Sequence, residues 1–209
     1  MLFDKKCAFI VKTRLIHALL FVLFGNTAIG QRADSVVTIN EIHYHPALTG
    51  EAEWVELHNQ MVVRVDVSGW SFTEGIDFTF PEGSVMEPGD YWVLSSNPSH
   101  ASLSGVAQVV GPFAGMLSNG GETLQLRNRH GRIMDELDYS DGGKWPEAAD
   151  GGGVSLSKID PEKASGLAAN WTWSQEAGGS PGVVNFDTMG GEAQNAVVND
   201  ASPWRVDTS

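Results

Sequence analysis

After residue 30 the sequence never keeps a helical period for longer than a turn or two. Short segments rich in β-branched and aromatic residues are instead cut at close intervals by Gly, Pro and Asn. That punctuation rules out helical bundles and α/β layering and predicts an all-β sandwich. Strands are expected over 36–44 (VVTINEIHY), 53–59 (EWVELHN), 65–72 (VDVSGWSF), 76–80 (IDFTF), 91–96 (YWVLSS), 122–128 (ETLQLRN), 132–140 (RIMDELDYS), 154–160 (VSLSKID) and 170–175 (NWTWSQ). Thr73-Glu74-Gly75 and His130-Gly131 have the composition of hairpin connections. Glu87-Pro88-Gly89-Asp90 places Pro and Gly as a tight turn requires. In 53–59, Val55 and Leu57 alternate with Trp54, Glu56 and His58, so one face is apolar and the other polar and aromatic.

The ends differ from this middle. Residues 1–14 carry Lys5, Lys6, Lys12 and Arg14, an apolar run LIHALLFVLF follows at 15–24, and Ala28 and Gly30 sit where an export peptidase reads small residues. Residues 1–30 are therefore expected to be a signal peptide cut at Gly30–Gln31. The apolar run has ten residues, whereas a membrane span needs about 20. No later segment resembles one. The chain remaining after cleavage would contain no cysteine, which excludes disulfides, thiolate catalysis and cysteine metal sites. Its net charge would fall from −13 to −16. That surface disfavours nucleic acid, whose phosphates are bound by Lys and Arg. Arg127, Arg129 and Arg132 flank one turn and form no basic stripe. Residues 188–209 are polar, lack alternation, and read as a flexible tail or the start of a linker.

Several segments also occur together and in order: INEIHYHP (39–46), EWVELHN (53–59), VDVSGW (65–70), FPEGSVMEPGDYWVL (80–94), LSNGGETLQL (117–126), GRIMDELDY (131–139), WPEAADGGGVSLSKID (145–160) and GGSPGVVN (178–185). This succession resembles the lamin-tail domain in its bacterial exported form, over residues 36–187. The resemblance implies an immunoglobulin-like β-sandwich with longer loops than the domain has in nuclear lamins. It implies no catalytic residues. Exported relatives look like non-catalytic modules, often joined to nucleases, phosphatases or spore-coat-kinase-like units and thought to attach proteins to surfaces or other molecules. The expected address is secreted, periplasmic or cell-surface. The expected partner is a protein or surface polymer outside the cytoplasm. Fold does not itself settle function. An accessory domain of a longer secreted enzyme and a carbohydrate-binding module remain the alternatives.

The stretch NEIHYHP carries Glu41, His43 and His45 at every second position, so an ideal strand would turn all three to one side as a metal-binding set. Against this, Pro46 ends the strand at His45, and both histidines fall where the family pattern is variable. Glu41 and Glu56 could serve as acid and base in sugar hydrolysis. The alternative is that they accept hydrogen bonds from loop backbone and hold strand ends. Trp70, Trp145 and Trp171 fall on motif positions and are expected between the sheets. Trp54 and Trp173 have phases that would face outward, where they could stack on sugars. Asp138, Asp141, Asp150 and Asp160 read as clustered in Gly-rich loops, where solvated turn aspartates or a weak structural calcium site are the alternatives, though their spacing matches no calcium loop. The sequence therefore assigns no catalytic, cofactor-binding or metal-ligating residue and calls for no cofactor. Ile39 and Ile42 are expected core contacts.

Overall fold

Strand pairing sorts residues 35–186, the part of the chain that this computed structural model describes, into two large sheets and one small one. The expected signal peptide (1–30) and tail (188–209) lie outside the described residues. The strands are β1 (Val37–His43), β2 (Trp54–Asn59), β3 (Val65–Asp66), β4 (Ser71–Phe72), β5 (Ile76–Thr79), β6 (Val85–Met86), β7 (Tyr91–Ser95), β8 (Val109–Val110), β9 (Ala114–Gly115), β10 (Gly121–Arg127), β11 (Ile133–Ser140), β12 (Leu156–Lys158) and β13 (Trp171–Trp173). One sheet runs β13-β12-β1-β2-β7-β8, the other β11-β10-β4-β5-β9, and β3 pairs with β6. All pairings are antiparallel except β7 with β8.

The two large sheets face each other across a single core. Ile39, Ile42, Val55, Leu57 and Leu94 come from one side; Phe72, Ile76, Leu124, Leu126, Leu137 and Tyr139 come from the other. Trp70, Trp92 and Trp171 are buried there too, and Trp145 packs at its margin against Trp171. The expected hairpins form as β4–β5 and β10–β11, and the amide of Asp90 closes its turn on the carbonyl of Glu87.

The expected strand 65–72 is in fact two. Trp70 N–H bonds the carbonyl of Val67, and Gly69, at φ +69°, donates to Phe80. The chain thereby passes from the small sheet to the five-stranded one. A positive φ is open to glycine without strain, which is why the Ser68-Gly69 pair turns inside an otherwise strand-like run. Strands β6, β8 and β9 were not expected; each has two residues, too few to carry a period.

A buried polar link ties the sheets together. Lys158 of β12 is fully buried and donates from Nζ to Ser165 Oγ at 2.8 Å, and its ammonium lies 5.5 Å from the Trp171 ring centre. Ser165 in turn donates to Asp135 of β11 at 2.6 Å. Asp135 also accepts the Ile39 N–H of β1 at 2.7 Å. Burial lowers the Lys158 pKa to about 8, with Asp135 opposing that shift. A lysine depressed on folding binds fewer protons than its unfolded counterpart between the two pKa values, so its contribution to stability is complete above the ordinary value of 10.5 and lost as pH falls through about 8. Chemical denaturation between pH 8 and 10 is expected to show wild type gaining stability relative to Lys158→Met across that interval. Parallel curves for the two proteins would contradict this assignment.

Candidate functional site

The outer face of the six-stranded sheet gathers four of the residues singled out from sequence: Glu41, His43, Trp54 and Glu56. It does so because of a bulge. Ile39 pairs with Leu57 and Glu41 pairs with Glu56, so Asn40 is an extra residue on β1. Strict alternation would put Ile39 and Ile42 on opposite faces. The bulge resets the phase, and both isoleucines enter the core while Glu41 and His43 turn outward. On β2 the neighbouring outward residues are Trp54, Glu56 and His58.

This face is not open to solvent. Residues 174–186 cross it as a strap, and Glu41 and Glu56 are the anchors. Glu41, fully buried, accepts hydrogen bonds from Ser155 Oγ, from Ser157 Oγ at 2.9 Å, from the Ser180 N–H at 3.0 Å and from Ser180 Oγ at 2.9 Å. Glu56, equally buried, accepts from Asn40 Nδ2 at 2.8 Å and from the Gly182 N–H at 2.5 Å. Asn185 completes the closure, donating to the carbonyls of Asn40 and Lys158 at 3.0 Å. Desolvation raises the pKa of both carboxyls. Glu56 is pushed well up, first by burial and then by the charge of Glu41. Both side chains thus take backbone N–H groups from a loop, as one of the sequence alternatives had it. They face the strap, not a groove of the depth that sugar hydrolysis requires.

His43 stacks on Trp54 across the β1–β2 pair, with ring centres 5.6 Å apart. Burial holds its pKa below the ordinary value. The two line one side of a groove of about 430 Å³, whose other walls include Leu48, Glu51, Ser102 and Gly179. Trp54 is buried in a small cluster with Ala52, Val93 and Leu103, which corrects the expectation of an exposed stacking ring. Its phase is outward as read from sequence; a 3-10 turn (Ala101–Leu103) and the strap cover it. Trp173 is exposed, at 52%, but without the outward phase expected: it pairs with Leu156 and shares the core side of β13 with Trp171.

The metal set of alternating ligands does not assemble. Strand β1 ends at His43, and His45 turns instead to Asp150, its Nδ1 lying 2.5 Å from Oδ1. The four aspartates do not come together, and Asp138 is not in a loop as expected but on β11, opposite Thr123. Asp138 accepts from Thr123, Asp141 from Ser140 and Asp160 from the Glu162 N–H. Among the described residues no group of three or more His, Cys, Asp or Glu side chains is placed to hold a metal ion. Sequence reading gave no role to Lys158, Ser165 or Asp135. A lysine at an inward position of a strand was the available signal.

The family model of the Lamin Tail Domain matches residues 31–141, more than half of the chain. The chain belongs to the lamin tail domain family. The all-β sandwich described above is the immunoglobulin-like fold of that family. No curated protein matches the chain. The matched stretch contributes β1 to β11 of this lamin-tail domain. Strands β12 and β13 and the strap follow it in sequence, and the two strands complete the edge of the sheet beside β1.

The seating of the strap can be tested at adjacent glycines. A Cβ on Gly179 (φ +85°) would lie 2.7 Å from Glu41 Oε1 and 2.9 Å from both Ser155 Oγ and Trp54 Cζ2, whereas one on Gly178 (φ +81°) would meet nothing within 4 Å. Gly178→Ala is expected to cost about 1 kcal/mol, the backbone penalty alone. Gly179→Ala should cost clearly more and should speed proteolysis within 174–186. Equal denaturation midpoints for the two variants would refute this seating.

Proposed function

We propose that this lamin-tail domain is an exported, non-catalytic binding or scaffolding module that works outside the cytoplasm by associating with a protein or a surface polymer. The observation that carries the reading is the loop between β2 and β3. Val62 is 90% exposed and Val63 55%, with Met61 beside them. Consecutive apolar side chains held out in water are a feature of contact surfaces. This loop is also fixed. Asn59, fully buried, accepts from the Met61 N–H and donates to the carbonyls of Val63, Met86 and Glu87. A rigid tip binds without a large ordering cost. The acidic and basic side chains best placed for chemistry, Glu41, Glu56, Asp135 and Lys158, are meanwhile occupied in holding the strap and joining the sheets.

Export itself is read from residues 1–30. Among the described residues no helix is long and apolar enough to cross a membrane. The acidic charge of −13 favours a partner other than nucleic acid. A second reading, carbohydrate binding, has Trp173 in its favour, half exposed on the edge strand β13. Trp173→Ala would abolish retention on a polysaccharide column if sugar stacking were the function.

The test is co-sedimentation of the purified protein with isolated bacterial cell envelopes. Val62→Asp is expected to weaken binding about tenfold or more, as a central apolar contact does, with no change in melting temperature. Equal sedimentation of wild type and variant, or turnover of phosphate esters or nucleic acid by the purified chain, would overturn the proposal.

A further inference from the structure

The two carboxyls that anchor the strap are not equivalent. Glu41 has four hydrogen-bond donors and Glu56 has two. They lie directly opposite each other on paired strands, both fully buried, and like charges so placed repel. Among the described residues, the titratable groups around the pair supply no cation to offset a second charge. His43 and His58 share this face, and burial favours the neutral form of each. Tyr91 lies on β7, with its phenol pushed up to about 12 by burial and by Glu56. Glu176 of the strap is itself acidic. Lys158 of β12 directs its ammonium between the sheets, to Ser165. Asn40, which donates to Glu56, also keeps a buried Oδ1 with no donor among the described residues, the kind of acceptor that a carboxyl proton requires.

We propose that at neutral pH this pair holds one proton, with Glu41 ionised and Glu56 carrying it, and that loss of the proton as pH rises unlatches the strap from the sheet. The direction follows from linkage. Glu56 is raised on folding, so its contribution is fully present below the ordinary carboxylate range and is lost as pH rises through its folded value. Four donors make Glu41 the better site for the single negative charge. Unlatching would lift Ala177, Gly178, Gly179 and Pro181 from the groove beside His43 and Trp54. The fold would then carry a pH-controlled cover over one face.

The experiment uses the full chain. Carboxyl carbon resonances of Glu41 and Glu56 are followed by NMR from acid to alkaline pH, together with amide exchange in 174–186. The β10–β11 hairpin serves as reference for the intrinsic pH dependence of exchange. The expected result is one carboxyl titrating well above the ordinary range. Strap protection should fall, relative to the hairpin, by up to about tenfold per pH unit between the ordinary carboxylate range and that point, and level off above it. Glu56→Gln, which mimics the protonated group, should keep the strap protected throughout. Glu41→Gln should lower its protection below the wild-type transition, where the ionised Glu41 is the anchor of the strap. Two carboxyls already ionised below pH of about 6 would overturn the proposal. So would a Glu56→Gln protein whose strap opens with the pH dependence of wild type.

Discussion

A buried carboxylate must find donors, and in this domain that requirement organises one whole face of the sandwich. Glu41 and Glu56 project from the side of the sheet that lies away from the core. Left to water they would be ordinary surface acids. Covered, each must be hydrogen-bonded, because an unpaired buried charge costs several kcal/mol. The strap supplies the N–H groups of Ser180 and Gly182, and β12 and its approach supply the hydroxyls of Ser155 and Ser157. The acids thus act as docking points for a segment that has no strand pairing of its own. Trp54 benefits from the same cover, since the strap and the 101–103 turn make a buried site of what would otherwise be an exposed ring.

The inner side solves a related problem differently. Between the sheets an apolar core does most of the work, and one polar chain crosses it: Lys158, Ser165, Asp135 and the Ile39 amide. Such a link adds little net stability over an apolar replacement, but removing one member leaves the others stranded. It joins β12, β11 and β1, and so fixes how the edge of the five-stranded sheet sits against the six-stranded one. One sheet therefore has a polar network on each side of it, and the bulge at Asn40 lies between them. Its neighbour Ile39 gives its N–H to the inner network, while Asn40 and Glu41 serve the outer one.

Much of this was legible in the chain. Alternation in 53–59 placed Val55 and Leu57 inward and Trp54, Glu56 and His58 outward, and the pairing of β2 agrees. The glycine turns marked both hairpins. Other features were hidden because they depend on contacts distant in sequence. Trp54 had the right phase and the wrong exposure, since its covering residues lie about 50 and 125 positions away. His45 fell in phase with Glu41 and His43, yet the strand ended before it and Asp150 claimed it.

The sequence by itself determined the class of fold, the order of the long strands, the turns between them and the family, because periodicity and turn chemistry are local properties of a chain. Only the tertiary structure decided what the polar residues of NEIHYHP do. The bulge that turns Glu41 outward is set by pairing with β2, and the donors that meet it come from residues 155–180. Glu41 carries the same carboxylate in either setting. Burial and its partners make it the anchor of a strap, and those arise only once the chain has closed on itself.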